Sequence, residues 1–170
     1  MPQPVLYGHG RNPEIIGEIV RLHAIYYSRE WGLGAPFEAT VVAELGAFIE
    51  SYDASVSRLF SASVDDRLVG SLTIAGTRDP EGAARLRWFI LADEARGRGI
   101  GKRLMQMAMD FLAETRCSAC YLTTFAGLDA ARTLYERQGF RLTHEATDAS
   151  WGRPLLEQRF DWRAADPSAT

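Results

Sequence analysis

Between an apolar run, Leu86-Arg-Trp-Phe-Ile-Leu91, and an amphipathic stretch beginning at Ile100, the chain reads Arg96-Gly97-Arg98-Gly99-Ile100-Gly101. Three glycines at alternate positions exceed what turning a corner requires, and each weakens a helix start. What they permit is close approach: without Cβ atoms in the way, backbone N–H groups at a helix N-terminus can reach an anion. Arg96, Arg98, Lys102 and Arg103 add four cations within eight residues, and phosphates match that combination of amides and charge. The whole chain has a formal charge of −3, from 19 Lys and Arg against 22 Asp and Glu. An anion site on it is therefore local, and neither nucleic acid nor an anionic membrane is an expected partner.

The spacing also narrows the phosphate ligand. A dinucleotide fingerprint needs Gly-x-Gly-x-x-Gly, but the turn has Gly-x-Gly-x-Gly; a P-loop needs Ser or Thr after its Lys, but Lys102 precedes Arg103. Both motifs also belong to parallel, doubly wound sheets, and the rest of the chain does not read as one. Asn12-Pro13-Glu14 is a helix start, because Asn caps free amides, Pro fits the first position and a carboxylate suits the dipole. Ile16, Ile19, Val20, His23 and Tyr27 then recur at helical spacing, which predicts a helix to about Arg29 that Trp31-Gly32-Leu33-Gly34 stops. A second helix is expected over 38–51, with Val41, Leu45, Phe48 and Ile49 on one face.

The period then changes. Residues 58–64 and 68–74 flank Asp65-Asp66-Arg67 as a hairpin, and 86–91 reads as a more buried strand. After a loop over 92–99 come a helix over 100–114, a strand over 121–125, a helix over 129–138 closed by Gly139, and strands over 140–145 and 155–162. The predicted class is α/β of the α+β type: one mixed, mostly antiparallel, twisted sheet of about six or seven strands with about four helices on its faces, and one parallel neighbour pair across the Ile100 helix. Residues 1–170 read as a single domain with its core at about 5–163, and 1–4 and 164–170 read as tails.

At this point the residues carry a family resemblance. Arg96-x-x-Gly99-x-Gly101 after an apolar strand resembles the acetyl-CoA motif of the GNAT N-acetyltransferases, Gln/Arg-x-x-Gly-x-Gly/Ala. Ala131-Arg-Thr-Leu134-Tyr135-Glu-Arg-Gln-Gly139-Phe140 resembles their second signature, Ala-x-x-Leu-Tyr-x-x-x-Gly-Phe, on the last helix. Within the superfamily, residues 21–32 and 86–97 resemble the acetyltransferase half of proteins that fuse a MarR-type regulator to a GNAT domain. The chain departs from common relatives where Leu128 and Phe125 stand in place of asparagines seven and ten residues before the tyrosine. The resemblance implies the GNAT fold and acetyl-CoA as cosubstrate. It implies that the strand before the turn splays from its neighbour, so that backbone groups of Phe89, Ile90 and Leu91 meet the pantetheine and the developing oxyanion. The pyrophosphate then rests on Arg96, Gly97, Arg98, Gly99, Ile100, Gly101 and Lys102, with Ala131 beside the cofactor. Tyr135 is assigned the proton for the departing thiolate, since a phenol is protonated at neutral pH.

A general base is harder to find, because 86–91 holds no carboxylate. Glu30, at the end of the first helix beside Tyr26, Tyr27 and Trp31, is the first choice for a catalytic carboxylate in an acceptor pocket walled by those aromatics and by Trp151; Glu157 is the other candidate. His23 falls on an apolar stripe and reads as a core residue, and His144 as a strand residue facing solvent. Cys117-Ser-Ala-Cys120 lacks the second pair a zinc site needs and precedes a strand rather than following one, so the thiols read as structural or free and no metal is expected. The expected function is acetyl transfer from acetyl-CoA to a primary amine of a small molecule, amino acid or peptide. The alternative is a catalytically weak acetyl-CoA sensor or interaction module. With neither a signal peptide nor a membrane span in the pattern, the expected compartment is the cytoplasm, and a homodimer is compatible with the sequence.

Overall fold

In the computed structural model, residues 3–165 are described; the outer parts of both predicted tails lie outside them. The first helix, α1 (Pro13–Trp31), starts as its sequence dictates: the Asn12 side chain accepts from the Glu14 N–H at 3.0 Å, Pro13 opens the first turn, and Gly32 closes the helix in the left-handed region at φ 62°. It runs two residues past the expected end. The second helix, α2 (Ala35–Glu50), starts three residues earlier than expected, because Pro36 is compatible with a first turn. Helices α3 (Ile100–Glu114) and α4 (Asp129–Arg137) lie where expected.

The strands are β1 (Leu6–His9), β2 (Arg58–Val64), β3 (Arg67–Ala75), β4 (Ala84–Leu91), β5 (Ala119–Phe125), β6 (Arg141–Asp148) and β7 (Leu155–Arg163). They form one sheet in the order β1-β2-β3-β4-β5-β7-β6. All neighbours are antiparallel except β4 and β5, which run parallel across α3, as the element order predicts. Strand β1 is absent from the sequence reading: it lies at the sheet edge with little buried surface, so it has no hydrophobic alternation to show.

Each face of the sheet has its own core. Against one face α3 buries Leu104, Met105, Ala108, Phe111 and Leu112, joined by Leu122, Tyr135, Phe140 and Phe160. Each large side chain so buried contributes about 1.5–3 kcal/mol. Against the other, α1 and α2 bury Ile19, Leu45 and Phe48 on Leu59, Trp88 and Ile90. Strand β4 serves both. Burial alternates along it without a break, yet Ala84 and Leu86 belong to the α3 core while Trp88 and Ile90 belong to the other. A bulge makes the exchange: Thr73 pairs with Arg87 and Ser71 with Ile90, which inserts one extra residue in β4, and Trp88 adopts φ 48°. The Ser71 hydroxyl donates to the Trp88 carbonyl at 3.1 Å and helps hold it there.

Candidate active site

The loop from β4 enters α3 through Gly97 and Gly99, both in the left-handed region at φ 71° and 76°, a conformation that favours glycine. No side chain caps α3. Its first main-chain bond runs from the Arg103 N–H to the Gly99 carbonyl at 3.0 Å, so the N–H groups of Ile100, Gly101 and Lys102 have no helical partner. Open space surrounds the Cα hydrogens of Gly97 and Gly99, whereas a Cβ on Gly101 would meet Leu91 Cδ1 at 3.1 Å and Phe89 Cζ at 3.3 Å. Amides aimed outward, a helix dipole and the side chains of Arg96 and Lys102 together suit a pyrophosphate.

Beside this cradle the sheet opens. Strands β4 and β5 pair only at Ala84 with Cys120 and Arg85 with Tyr121. From Leu86 onward β4 has no β5 partner, which leaves main-chain polar groups for a peptide-like ligand to satisfy. The gap leads into a cavity of about 1050 Å³ that the cradle and the first residues of α4 also line. Tyr135 projects into it from α4, packed on Phe89, Phe140 and Phe160. Burial, and then the charge of a Tyr27 phenolate, raise its pKa well above the ordinary phenol value. Tyr27 lines the cavity from α1; burial and Tyr26 raise its pKa, while Arg96 opposes the rise.

The end of the cavity between α1, α2 and the lower sheet is different in kind. Tyr27, Phe37, Phe125 and Trp151 meet there edge to face or tilted at 4.6–6.0 Å. The β6–β7 loop that carries Trp151 rests on α2, with Pro36 Cγ 3.5 Å from where a Cβ on Gly152 would be. Around the aromatics stand charges. Arg87 pairs with Glu44 and lies 4.2 Å over the Trp88 ring; Arg85 donates to the Thr123 hydroxyl at 3.1 Å; Asp148 and Glu157 supply carboxylates. Burial and then Asp148 raise the Glu157 pKa, against the opposing influence of Trp151 and Arg85. The indole N–H of Trp151 is near Glu157 without closing a hydrogen bond. His23 lines the cavity as a neutral ring: its Nδ1 bonds the Ile19 carbonyl at 2.8 Å, and burial lowers its pKa to about 4.

Most of the residues expected at the site do converge on this cavity: Phe89, Ile90 and Leu91 on β4, five of the turn residues and Lys102, Ala131 and Tyr135 on α4, Tyr26 and Tyr27 on α1, and Trp151. Three do not. Arg98 turns away to donate to the Gln3 carbonyl at 2.9 Å. Trp31 packs behind Phe125, 5.7 Å between ring centres, and against Gly127. Glu30 is a correction: half exposed, it pairs with Arg29 at 2.7 Å outside the cavity, because its place at the end of α1 faces it toward solvent. Of the two carboxylates expected from the sequence as a base, Glu157 is the one that lines the cavity. Glu44, Arg85, Arg87 and Asp148 had one legible signal, the arginines at alternate positions of an apolar strand. Among the described residues no group of His, Cys, Asp and Glu is placed to hold a metal, and no helix is long and apolar enough to cross a membrane. Cys117 and Cys120 are free thiols, and burial pushes Cys120 up to about 12.

Solved structures similar to this chain share its fold. A GNAT-family acetyltransferase of Staphylococcus aureus superposes with a TM-score of 0.75 at 16% identity, covering 94% of this chain and 99% of its own. An acetyltransferase of Streptococcus agalactiae gives 0.74 at 16%, over 94% and 98%, and the ribosomal-protein-alanine N-acetyltransferase of Brucella melitensis 0.73 at 18%, over 94% and 99%. At these identities the likeness speaks for the fold alone. The sequence itself matches the family model described as acetyltransferase (GNAT) family over residues 18–140, which takes in the glycine cradle, the split strand and Tyr135. The chain is thus an acyltransferase and belongs to the GNAT acetyltransferase family.

Proposed function

We propose that the enzyme transfers an acetyl group from acetyl-CoA to a primary amine of a small molecule, amino acid or peptide. The observation that supports this most is the opening of the glycine cradle, the β4–β5 split and the buried Tyr135 hydroxyl into one cavity whose far end holds carboxylates. Acetyl-CoA, when bound, supplies a thioester carbonyl that the amine nitrogen attacks: a C–N bond forms, the C–S bond breaks, the nitrogen gives up a proton and the sulfur takes one. Every other role falls to the protein. The free N–H groups of α3, with Arg96 and Lys102, hold the pyrophosphate. Main-chain groups of β4 beyond Arg85 hold the pantetheine amides and turn the carbonyl toward the acceptor end. Tyr135 keeps its proton at Oη throughout the neutral range and gives it to sulfur. Glu157 takes the proton of the amine, and its raised pKa makes it a better base than an exposed carboxylate.

The test is thiol release from acetyl-CoA with a panel of amines, with the N-acetyl product identified by mass. Release with product supports the reading. Binding of acetyl-CoA without release to any amine would make the chain an acetyl-CoA-binding module, and absence of binding would remove the reading altogether.

A further inference from the structure

The two arginines of β4 that face α1 and α2 are in different states. Arg87 is neutralised by Glu44. Arg85 has no carboxylate within ion-pairing distance among the described residues; one Nη donates to Thr123, the Tyr121 ring lies 5.7 Å away, and its Nε is buried without a hydrogen-bond partner. A buried guanidinium donor left unpaired is costly, by about 1–3 kcal/mol or more, and in a folded protein such a group calls for an explanation. Arg85 lines the cavity, on the face of β4 opposite Ala84 and Leu86, which pack toward α3. The pyrophosphate cradle is at the start of α3, so Arg85 belongs to the acceptor side.

We infer that Arg85 binds a carboxylate of the acceptor, and that the acceptor is a free amino acid with an apolar or aromatic side chain. This rests on the acetyl-transfer reading above. Beyond the Nη on Thr123, the Arg85 guanidinium is a planar fork of donors without a carboxylate partner, and a carboxylate in the cavity would pair with it through charge-assisted hydrogen bonds. Glu157 and Asp148, at the same end of the cavity, receive the amino group, and Phe37, Phe125 and Trp151 provide an apolar wall for a side chain. One small molecule that carries an amino group, a carboxylate and an apolar side chain matches all three. A simple amine would leave Arg85 unpaired, and an acyl acceptor inside a polypeptide has no α-carboxylate to offer.

The experiment compares kcat/KM for the L-amino acids with that for their amides and their decarboxylated amines, for example L-leucine, L-leucinamide and isoamylamine, or L-phenylalanine, L-phenylalaninamide and phenethylamine. At least one free amino acid is expected to exceed its amide and its amine by about tenfold or more, the scale of one desolvated charge pair. Arg85→Met should bring that ratio close to one, and Arg85→Lys, which keeps the charge without the fork, should leave it in between. Should Arg85→Met fail to fold, Thr123→Val removes the partner that orients the guanidinium and should raise KM for the amino acid more than for the amine. Amines acetylated as well as the amino acids, or a ratio unchanged in Arg85→Met, would overturn the inference and leave acetyl transfer standing. Bound acetyl-CoA with no acceptor turned over would overturn both.

Discussion

At the proposed cofactor end of the cavity a single stretch, residues 96–102, supplies the glycines, the free helix amides and the cations Arg96 and Lys102; at the proposed acceptor end Glu44, Arg85, Thr123, Asp148, Trp151 and Glu157 come from α2, four strands and a loop. The reason lies in which atoms do the binding. A pyrophosphate is held by backbone amides, and backbone can approach a ligand only where the residues themselves are special, so glycine is required at fixed, contiguous positions. An acceptor is held by side chains, which need only converge in space. The first kind of site is written locally and the second is written in the sheet register.

The comparison is broken most easily at its local end. Gly101→Glu should reduce acetyl-CoA affinity by about 100-fold or more, because its Cβ would crowd Leu91 and Phe89 and its carboxylate would sit among the amides that receive a pyrophosphate. Gly17→Glu, on α1 where a Cβ meets nothing within 4 Å, should bind normally. Isothermal titration with acetyl-CoA reads both. Equal affinity in a folded Gly101→Glu protein would mean that the cradle is not the anion site.

Tyr135 stands between the two ends and probes their coupling. Tyr135→Phe keeps the packing on Phe140 and Phe160 and removes one hydroxyl, so acetyl-CoA should still bind while kcat falls about 10²- to 10³-fold. A wild-type kcat would reduce the tyrosine to packing. A solvent isotope effect present in the wild type and lost in the variant would identify the transferred proton.

The fold and the glycine turn were readable in the sequence for one reason, and the far end of the cavity was hidden for another. Helix α1 announces itself through Asn12, Pro13 and a stripe at helical spacing, and the cradle through three glycines. The hidden features share an absence of local signal. Strand β1 buries too little to alternate. The bulge at Trp88 is invisible because burial alternates straight through it while the faces exchange. The role proposed for Glu157 depends on β7 lying between β5 and β6, which places Glu157 opposite Phe125 and Ala146; no spacing along the chain encodes that pairing.

Glu157 therefore tests the distributed end. Glu157→Gln should lower kcat/KM about 10- to 100-fold on one fixed acceptor, with acetyl-CoA affinity retained. The pH profile carries the sharper signature. A base must be deprotonated to act, so wild-type kcat/KM should rise with pH through the titration of Glu157. Burial and Asp148 raise that pKa, so the limb should lie above the range of an exposed carboxylate. In the variant this limb should vanish, while the acceptor's own ionisation, common to both proteins, remains. A limb unchanged in Glu157→Gln would assign it to the acceptor or to another group.

The smallest effect is expected where the local reading and the geometry part company, at Glu30. It is close in sequence to Tyr26, Tyr27 and Trp31, and on adjacency alone it belongs with them. The helix divides that neighbourhood: Tyr26 and Tyr27 line the cavity, Trp31 packs behind Phe125, and Glu30 points outward to Arg29 at 2.7 Å, with 48% of its side chain exposed. An exposed pair of this kind contributes little, and Arg29 keeps a second partner in Asp93. Glu30→Gln should accordingly change kcat/KM by no more than about twofold and stability by no more than about 0.5 kcal/mol, read by the same thiol-release assay and by urea denaturation. A loss as large as that of Glu157→Gln would bring Glu30 to the acceptor during turnover. It would require the end of α1 to move over the cavity, and the contrast between a local cofactor end and a distributed acceptor end would then fail at the residue that adjacency had favoured.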